Sequence, residues 1–216
     1  MGTNRGQIRP SDPADSAAFE DAITERRWRD AFALLPDGMY EPKDAKFRFL
    51  LQFGEELSDQ EYWQFVWDAY KRAFQGLDRL SNEELRTIFR GRAGAEQMMG
   101  MSDRELLDWL PDTLTIYRGY HQSQRQRRFS WTPSESAAAW FALLFHQSAG
   151  GDPMIVEGHA KKEDVIACFA HEAEIIIDPD DVIITRAYSV PEELWISQGY
   201  GDEFREYRTR RAQSET

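Results

Sequence analysis

The stretch TLTIYRGY, residues 113–120, marks the point at which the hydrophobic pattern of the chain changes. Apolar residues recur at helical spacing before it, whereas short β-rich segments follow. Those segments are TLTIYRGY itself, FSW at 129–131, MIVEGHA at 154–160, DVIACF at 164–169, EAEIII at 172–177 and VIITRAYSV at 182–190. Only one helix is predicted among them, at about 133–146, so the pattern indicates a mostly antiparallel α+β fold and not a doubly wound parallel sheet.

The chain before these strands is predicted to be helical. Apolar residues at 18–35 have the spacing of one helix, and a second apolar run occupies 46–53. Serine followed by glutamate three residues later, the pattern of a capping box, then occurs three times. The pairs are Ser58 with Glu61, Ser81 with Glu84 and Ser102 with Glu105, and they predict helices at about 62–74, 82–91 and 103–110. The aromatic helix at 62–74 is apolar over much of its circumference, which favours burial over a partner-binding surface.

These patterns divide the chain into four parts. Residues 1–16 are rich in turn-forming residues and are expected to be disordered or loosely attached. A helical region at 17–111 and a strand-rich core at 112–198 follow. Residues 199–216 form a charged tail, in which we expect a last short helix.

Composition limits the classes of partner and compartment. The net charge of -12 gives no general electrostatic attraction to nucleic acid or to an anionic membrane. The single cysteine, Cys168, excludes an internal disulfide framework and fits a reducing compartment. Neither a membrane-spanning apolar stretch nor the apolar core of a signal peptide is present. We therefore expect a soluble cytoplasmic protein without membrane association.

Arg118 ends an apolar row on the first predicted strand. Side chains alternate across a strand, so Leu114, Ile116 and Arg118 share one face. A guanidinium at this place needs an anion or several hydrogen-bond acceptors. It either pairs with an internal carboxylate, which is a common structural arrangement, or binds an anionic ligand such as a phosphate.

The segment FSWT, residues 129–132, places two hydroxyl groups on one face. Ser130 and Thr132 alternate with Phe129 and Trp131, which face the other way. Thr132 is also predicted to cap the helix at 133–146, whereas Ser130 comes too early in the chain for that role. A lone serine in a strand is weak evidence of function.

The segment HEAEIII, residues 171–177, carries two carboxylates one residue apart. If the whole segment is a strand, Glu172 and Glu174 lie on the same face and their charges are neighbours. Such a pair is tolerated where chemistry requires it. Alternatively, the two residues form a solvated edge that discourages pairing with another strand.

Taken in order, IYRG, FSWT and EAE resemble the mono-ADP-ribosyltransferase superfamily, in its Arg-Ser-Glu branch. The resemblance covers about residues 114–190, little more than a third of the chain. It implies two small sheets around a cleft for NAD⁺, which is the co-substrate. The middle strand departs from the family's usual Ser-Thr-Ser, because a large aromatic residue, Trp131, stands at its second position.

The resemblance implies a role for each polar residue. Glu174 would be the catalytic carboxylate beside the ribose, oriented by Ser130, while Arg118 would bind the phosphate side of NAD⁺. Glu172 would orient and deprotonate the acceptor, and glutamate at this place in the family accompanies arginine as the acceptor. The residues implied to bind NAD⁺ are Arg118, Gly119, Ser130, Trp131, Thr132 and Glu174.

Several alternatives remain at this level. Water could replace the macromolecular acceptor, which would make the protein an NAD⁺ glycohydrolase, or the site could be a degenerate scaffold for an interaction module. A nucleic-acid acceptor is disfavoured by the net charge. Neither the target, nor the biological role as toxin or effector, nor an inhibitor or antitoxin partner follows from the sequence. The histidines show no metal-ligand spacing, so no metal site is predicted. The basic run RQRR at 125–128 could lie in a solvated loop, contact nucleic acid or steer NAD⁺.

Overall fold

The computed structural model describes residues 8, 10, 13–36, 44–71, 76–121, 128–149 and 151–199. The chain divides into two compact units, residues 1–98 and 99–216, and each is described by itself. The sequence predicted an α+β protein with a helical N-terminal region and two small antiparallel sheets, and this class is confirmed.

The first unit is helical. Its helices are α1 (Pro13–Thr24), α2 (Trp28–Ala33), α3 (Ala45–Phe53), α4 (Asp59–Tyr70) and α5 (Asn82–Arg90), with short 3-10 turns at Gly54–Glu56, Gly76–Arg79 and Ala95–Met98. The capping boxes predicted at Ser58 and Ser81 are both formed. Helix α4 is buried along Tyr62, Phe65 and Val66 as expected, and Phe65 stacks on Phe32 with 4.3 Å between ring centroids.

The prediction of one helix at 18–35 was wrong, because the chain breaks between α1 and α2. Arg26 adopts a left-handed backbone conformation with φ of 56°. The apolar positions Ile23 and Trp28 are five residues apart. This spacing would place them on different faces of a continuous helix. The break lets Trp28 pack on Phe53, at 5.6 Å between ring centroids. Helix α1 also begins earlier than predicted, within the segment 1–16 that was expected to be loosely attached.

The second unit begins with helix α6 (Met101–Trp109), which the sequence had placed in the helical region ending at residue 111. Its contacts explain the difference, because α6 packs on strand β4 (Val165–Phe169) of the second unit. The predicted cap at Ser102 was wrong. Gly100 is the N-cap, and its N–H donates to the Asp103 carboxylate at 2.8 Å.

Two three-stranded antiparallel sheets form the rest of this unit. The strands are β1 (Thr113–His121), β2 (Ser130–Trp131), β3 (Pro153–Lys161), β4, β5 (Glu174–Ile177) and β6 (Ile183–Ser189). One sheet has the order β1-β3-β6 and the other the order β2-β5-β4. Tyr117 and Thr132 form an isolated antiparallel bridge, so the edge strands β1 and β2 of the two sheets meet there.

Helix α7 (Glu135–Ala149) packs closely on β1. A Cβ atom on Gly119 would lie 1.9 Å from the carbonyl oxygen of Ala138, so only glycine allows this approach. The prediction that Thr132 caps the helix was wrong. Ser134 caps the helix instead, since its hydroxyl accepts from the N–H of Ala137 at 3.2 Å. Thr132 Oγ1 accepts from the N–H of Ser134, which precedes the helix.

Helix α8 (Glu192–Ser197), which the sequence did not predict, follows the last strand. The helix predicted in the tail at 199–216 lies outside the described residues, apart from residue 199, and so does most of the basic run at 125–128. Across the described ranges, no helix has the length and apolar character required to cross a membrane.

The buried thiol of Cys168 is expected to be unreactive in the folded protein. Burial, reinforced by the Asp103 carboxylate, raises the pKa of Cys168 to about 12. Because the thiolate is the reactive form, an aromatic disulfide reagent at pH 8 should react on the order of 10²–10³-fold more slowly with the native protein than with the protein in urea. Absorbance of the released thiol measures both rates, and equal rates would contradict the burial of this cysteine.

Candidate functional site

Arg118 lies on the buried face of β1, where the sequence predicted it. Leu114, Ile116 and Arg118 are all buried, in agreement with the expected alternation. The Arg118 residue is only 9% exposed, and its Nη1 donates to the backbone carbonyl of Ser130 at 3.0 Å. This hydrogen bond connects the β1-β3-β6 sheet to Ser130, the first residue of β2 in the β2-β5-β4 sheet.

Ser130 and Glu174 are joined by a short hydrogen bond from Ser130 Oγ to Glu174 Oε1. Their strands β2 and β5 are adjacent, and Ser130 pairs with Ile176. Glu174 lies two residues from Ile176, so it is the diagonal neighbour of Ser130 on the same face. The Glu174 residue is 7% exposed. The structure therefore brings Arg118, Ser130 and Glu174 together from three strands.

Glu172 does not share a strand with Glu174, so the prediction from alternation was wrong. Residues Ala170–Glu172 form a 3-10 turn, and Ala173 then adopts a left-handed conformation with φ of 49°. This residue interrupts the extended backbone on which a period of two depends, and β5 begins only at Glu174. The Glu172 side chain is 52% exposed and lies 3.5 Å from His171 Nε2. The turn between β4 and β5 comprises residues 170–173.

Trp131, Thr132 and Gly119 were predicted to bind NAD⁺, and all three pack inside the second unit. Trp131 is 1% exposed, and its indole N–H donates to the carbonyl of Arg128 at 2.6 Å. Thr132 is buried in the bridge to Tyr117. Gly119 faces helix α7. An indole this deeply buried offers almost no surface to a ligand, so the Trp131 side chain serves packing.

The sequence missed one residue that contacts the turn carrying Glu172. Asp103 is buried, and its Oδ1 accepts from the backbone N–H of Ala170 at 2.8 Å. The local pattern drew attention to Ser102 and Glu105 instead. An aspartate three residues after Gly100 could have suggested a helix cap, but its second contact, 67 residues away, has no local signal.

A second polar cluster, which the sequence did not predict, lies on the β1-β3-β6 sheet, on the face opposite to Arg118. The hydroxyl of Tyr188 donates to Glu135 at 2.5 Å, and Arg186 donates to Glu157 from Nε at 2.8 Å and Nη2 at 2.6 Å. Burial and the Glu135 carboxylate raise the pKa of Tyr188 above its ordinary value. The cluster joins the first turn of α7 to β6, and its groups satisfy one another, which indicates a structural role.

No protein-family model, curated protein or solved structure matches the chain. Among the residues that the structure describes, no group of three or more histidine, cysteine, aspartate or glutamate side chains could hold a metal ion. The function is therefore inferred from the contacts of Arg118, Ser130, Glu172 and Glu174.

Proposed function

We propose that the protein is an NAD⁺-dependent mono-ADP-ribosyltransferase that modifies an arginine side chain of a macromolecular acceptor. The observation that carries the proposal is the continuous chain of contacts from Arg118 through Ser130 to Glu174. A cation, a hydroxyl and a carboxylate on neighbouring strands suit a substrate with a diphosphate and a ribose. The order of these residues also resembles that of the Arg-Ser-Glu transferases.

The fold supports the same proposal at a coarser level. The protein has two small antiparallel sheets, and the strands that carry Ser130 and Glu174 are adjacent. The strand that carries Arg118 meets them at the bridge between Tyr117 and Thr132. This arrangement resembles the two-sheet core of the ADP-ribosyltransferases, which we propose as the fold of residues 112–198.

Glu174 would stabilise the positive charge that develops on the ribose as its bond to nicotinamide breaks. Ser130 would hold that carboxylate in place through the hydrogen bond it already donates. The bonding electron pair leaves with nicotinamide, whose ring nitrogen becomes neutral. Arg118, a buried cation next to this pair, would bind the diphosphate of NAD⁺.

Glu172 would act on the acceptor side. A guanidinium nitrogen of the acceptor forms the new bond to the ribose carbon and passes its proton to the Glu172 carboxylate. The exposure of Glu172 on a turn supports this role, since a side chain on the surface of another macromolecule can approach it. The same exposure admits water, which makes NAD⁺ hydrolysis the second candidate activity.

The exchange of Glu172 for Gln should separate transfer from hydrolysis. We expect transfer to arginine to fall by about 10²–10⁴-fold, because the amide cannot take up the proton, while part of the NAD⁺ hydrolysis remains. Mass spectrometry of a polyarginine or protein acceptor measures transfer, and chromatography measures free ADP-ribose. Loss of both activities together would contradict the division of roles between Glu172 and Glu174.

A further inference from the structure

The turn that carries Glu172 is anchored at its first residue. The N–H of Ala170 donates to Asp103 Oδ1 at 2.8 Å, and the other oxygen of that carboxylate accepts from Gly100 N–H at 2.8 Å. Both oxygens of a buried carboxylate are thus engaged by backbone donors of two separate segments. Hydrogen bonds to an ionised carboxylate are stronger than those between neutral groups, so this contact fixes the turn relative to α6.

Two further contacts hold the residues on either side of the hydrogen bond between Ala170 and Asp103. The backbone N–H of Cys168 contacts Met99 Sδ at 3.3 Å, which ties the end of β4 to the residues just before α6. At the other end of the turn, Ala173 N–H donates to the Ala170 carbonyl at 3.2 Å. Ala170 therefore takes part in both the anchor and the closure of the turn, and Glu172 lies between the two bonded residues.

We propose that Asp103 is a positioning residue for the acceptor side of the site, an inference that rests on the proposed transferase function. In the described contacts, Asp103 bonds to none of the three residues assigned to NAD⁺, since its hydrogen bonds run to Gly100 and Ala170. Its loss releases the turn and displaces Glu172, while the bond between Ser130 and Glu174 stays. Asp103 thereby determines how much of the cleaved NAD⁺ reaches an acceptor and how much reaches water.

The test is the ratio of transfer to hydrolysis in Asp103→Asn. An asparagine can keep one of the two acceptor contacts but presents an N–H₂ group to the other donor. We expect the ratio to fall by about tenfold or more, because small displacements of a positioned group reduce the rate strongly. Total nicotinamide release should stay within about threefold of the unmodified protein, since the donor side is unchanged.

The matched control is Tyr188→Phe, which also removes one hydrogen bond in the second unit, but from a strand of the other sheet. It should leave the ratio unchanged. Hydrogen exchange supplies a readout that does not depend on activity: the peptide spanning the turn should exchange faster in Asp103→Asn and not in Tyr188→Phe. Equal ratios in Asp103→Asn and the unmodified protein, or an equal fall in both variants, would overturn the inference.

A second variant keeps the test decisive if Asp103→Asn does not fold. Ala170→Pro removes the N–H that donates to Asp103, and proline is tolerated at the first position of such a turn. It should lower the same ratio, and an unchanged ratio would overturn the inference. If the unmodified protein releases no nicotinamide, the proposed function fails; if it transfers ADP-ribose and both variants keep the ratio, only the role of Asp103 fails.

Discussion

Replacing Glu174 by Gln is expected to lower nicotinamide release from NAD⁺ by about 10²–10³-fold, the range found when one preorganised electrostatic contact to a transition state is lost. Glutamine has the size of glutamate, and its amide oxygen can still accept from Ser130 Oγ. The backbone pairing of β5 with β2 and β4 does not involve the side chain. The substitution therefore removes the charge and little else.

Chromatographic measurement of nicotinamide at saturating NAD⁺ would test this result, with the unfolding midpoint measured in parallel. Glu157→Gln provides the matched control, because Glu157 also has a mostly buried carboxylate but contacts Arg186 on the opposite face of the first sheet. Equal rates for Glu174→Gln and the unmodified protein would remove Glu174 from the mechanism. A folded, unmodified protein that releases no nicotinamide would support the interaction-module alternative.

The second large effect is expected in stability, from Gly119→Ala. The new Cβ would lie 1.9 Å from the Ala138 carbonyl oxygen and 2.7 Å from the backbone nitrogen of Ala142. Both contacts are with the backbone of α7, so rotation of a side chain cannot relieve them. The helix would have to move off β1, which we expect to lower the free energy of unfolding by about 3 kcal/mol or more.

Urea unfolding monitored by circular dichroism would measure this loss, with Gly100→Ala as the control. A Cβ on Gly100 has its nearest contact at 3.4 Å, from an Asp103 oxygen, and the backbone there has an ordinary negative φ of -72°. This control should lower the free energy of unfolding by about 1 kcal/mol or less, because alanine is a poorer N-cap than glycine. A similar midpoint for both variants would show that α7 does not pack tightly on Gly119.

Local patterns predicted most of the strands and two of the three capping boxes. Alternation placed Arg118 correctly because β1 is a regular strand of nine residues. The Ser58 and Ser81 patterns succeeded because each serine stands just before an apolar helical face. Such signals lie within a few residues of one another, which is the range over which a sequence can be interpreted without a structure.

The failures share a different cause, since each depends on backbone geometry or on distant contacts. The left-handed Ala173 has no compositional signal, because alanine seldom adopts that conformation. The resemblance implied that Gly119 binds NAD⁺, and nothing in the sequence indicated its packing against helix α7, about twenty residues further along the chain. Asp103 was missed because its partner Ala170 is brought close only by the fold.

The bridge between Tyr117 and Thr132 has a mechanical consequence. It joins the two sheets at one residue pair among the pairings described, and both of its backbone hydrogen bonds are short, at 2.7 and 2.8 Å. Arg118 is adjacent to one end of this junction, and Ser130 is two residues from the other. If the sheets rock about this pivot, displacements grow with distance from it. The hydrogen bond from the Arg118 guanidinium to the Ser130 carbonyl would then change least, while the far edges, β4 and β6, move furthest.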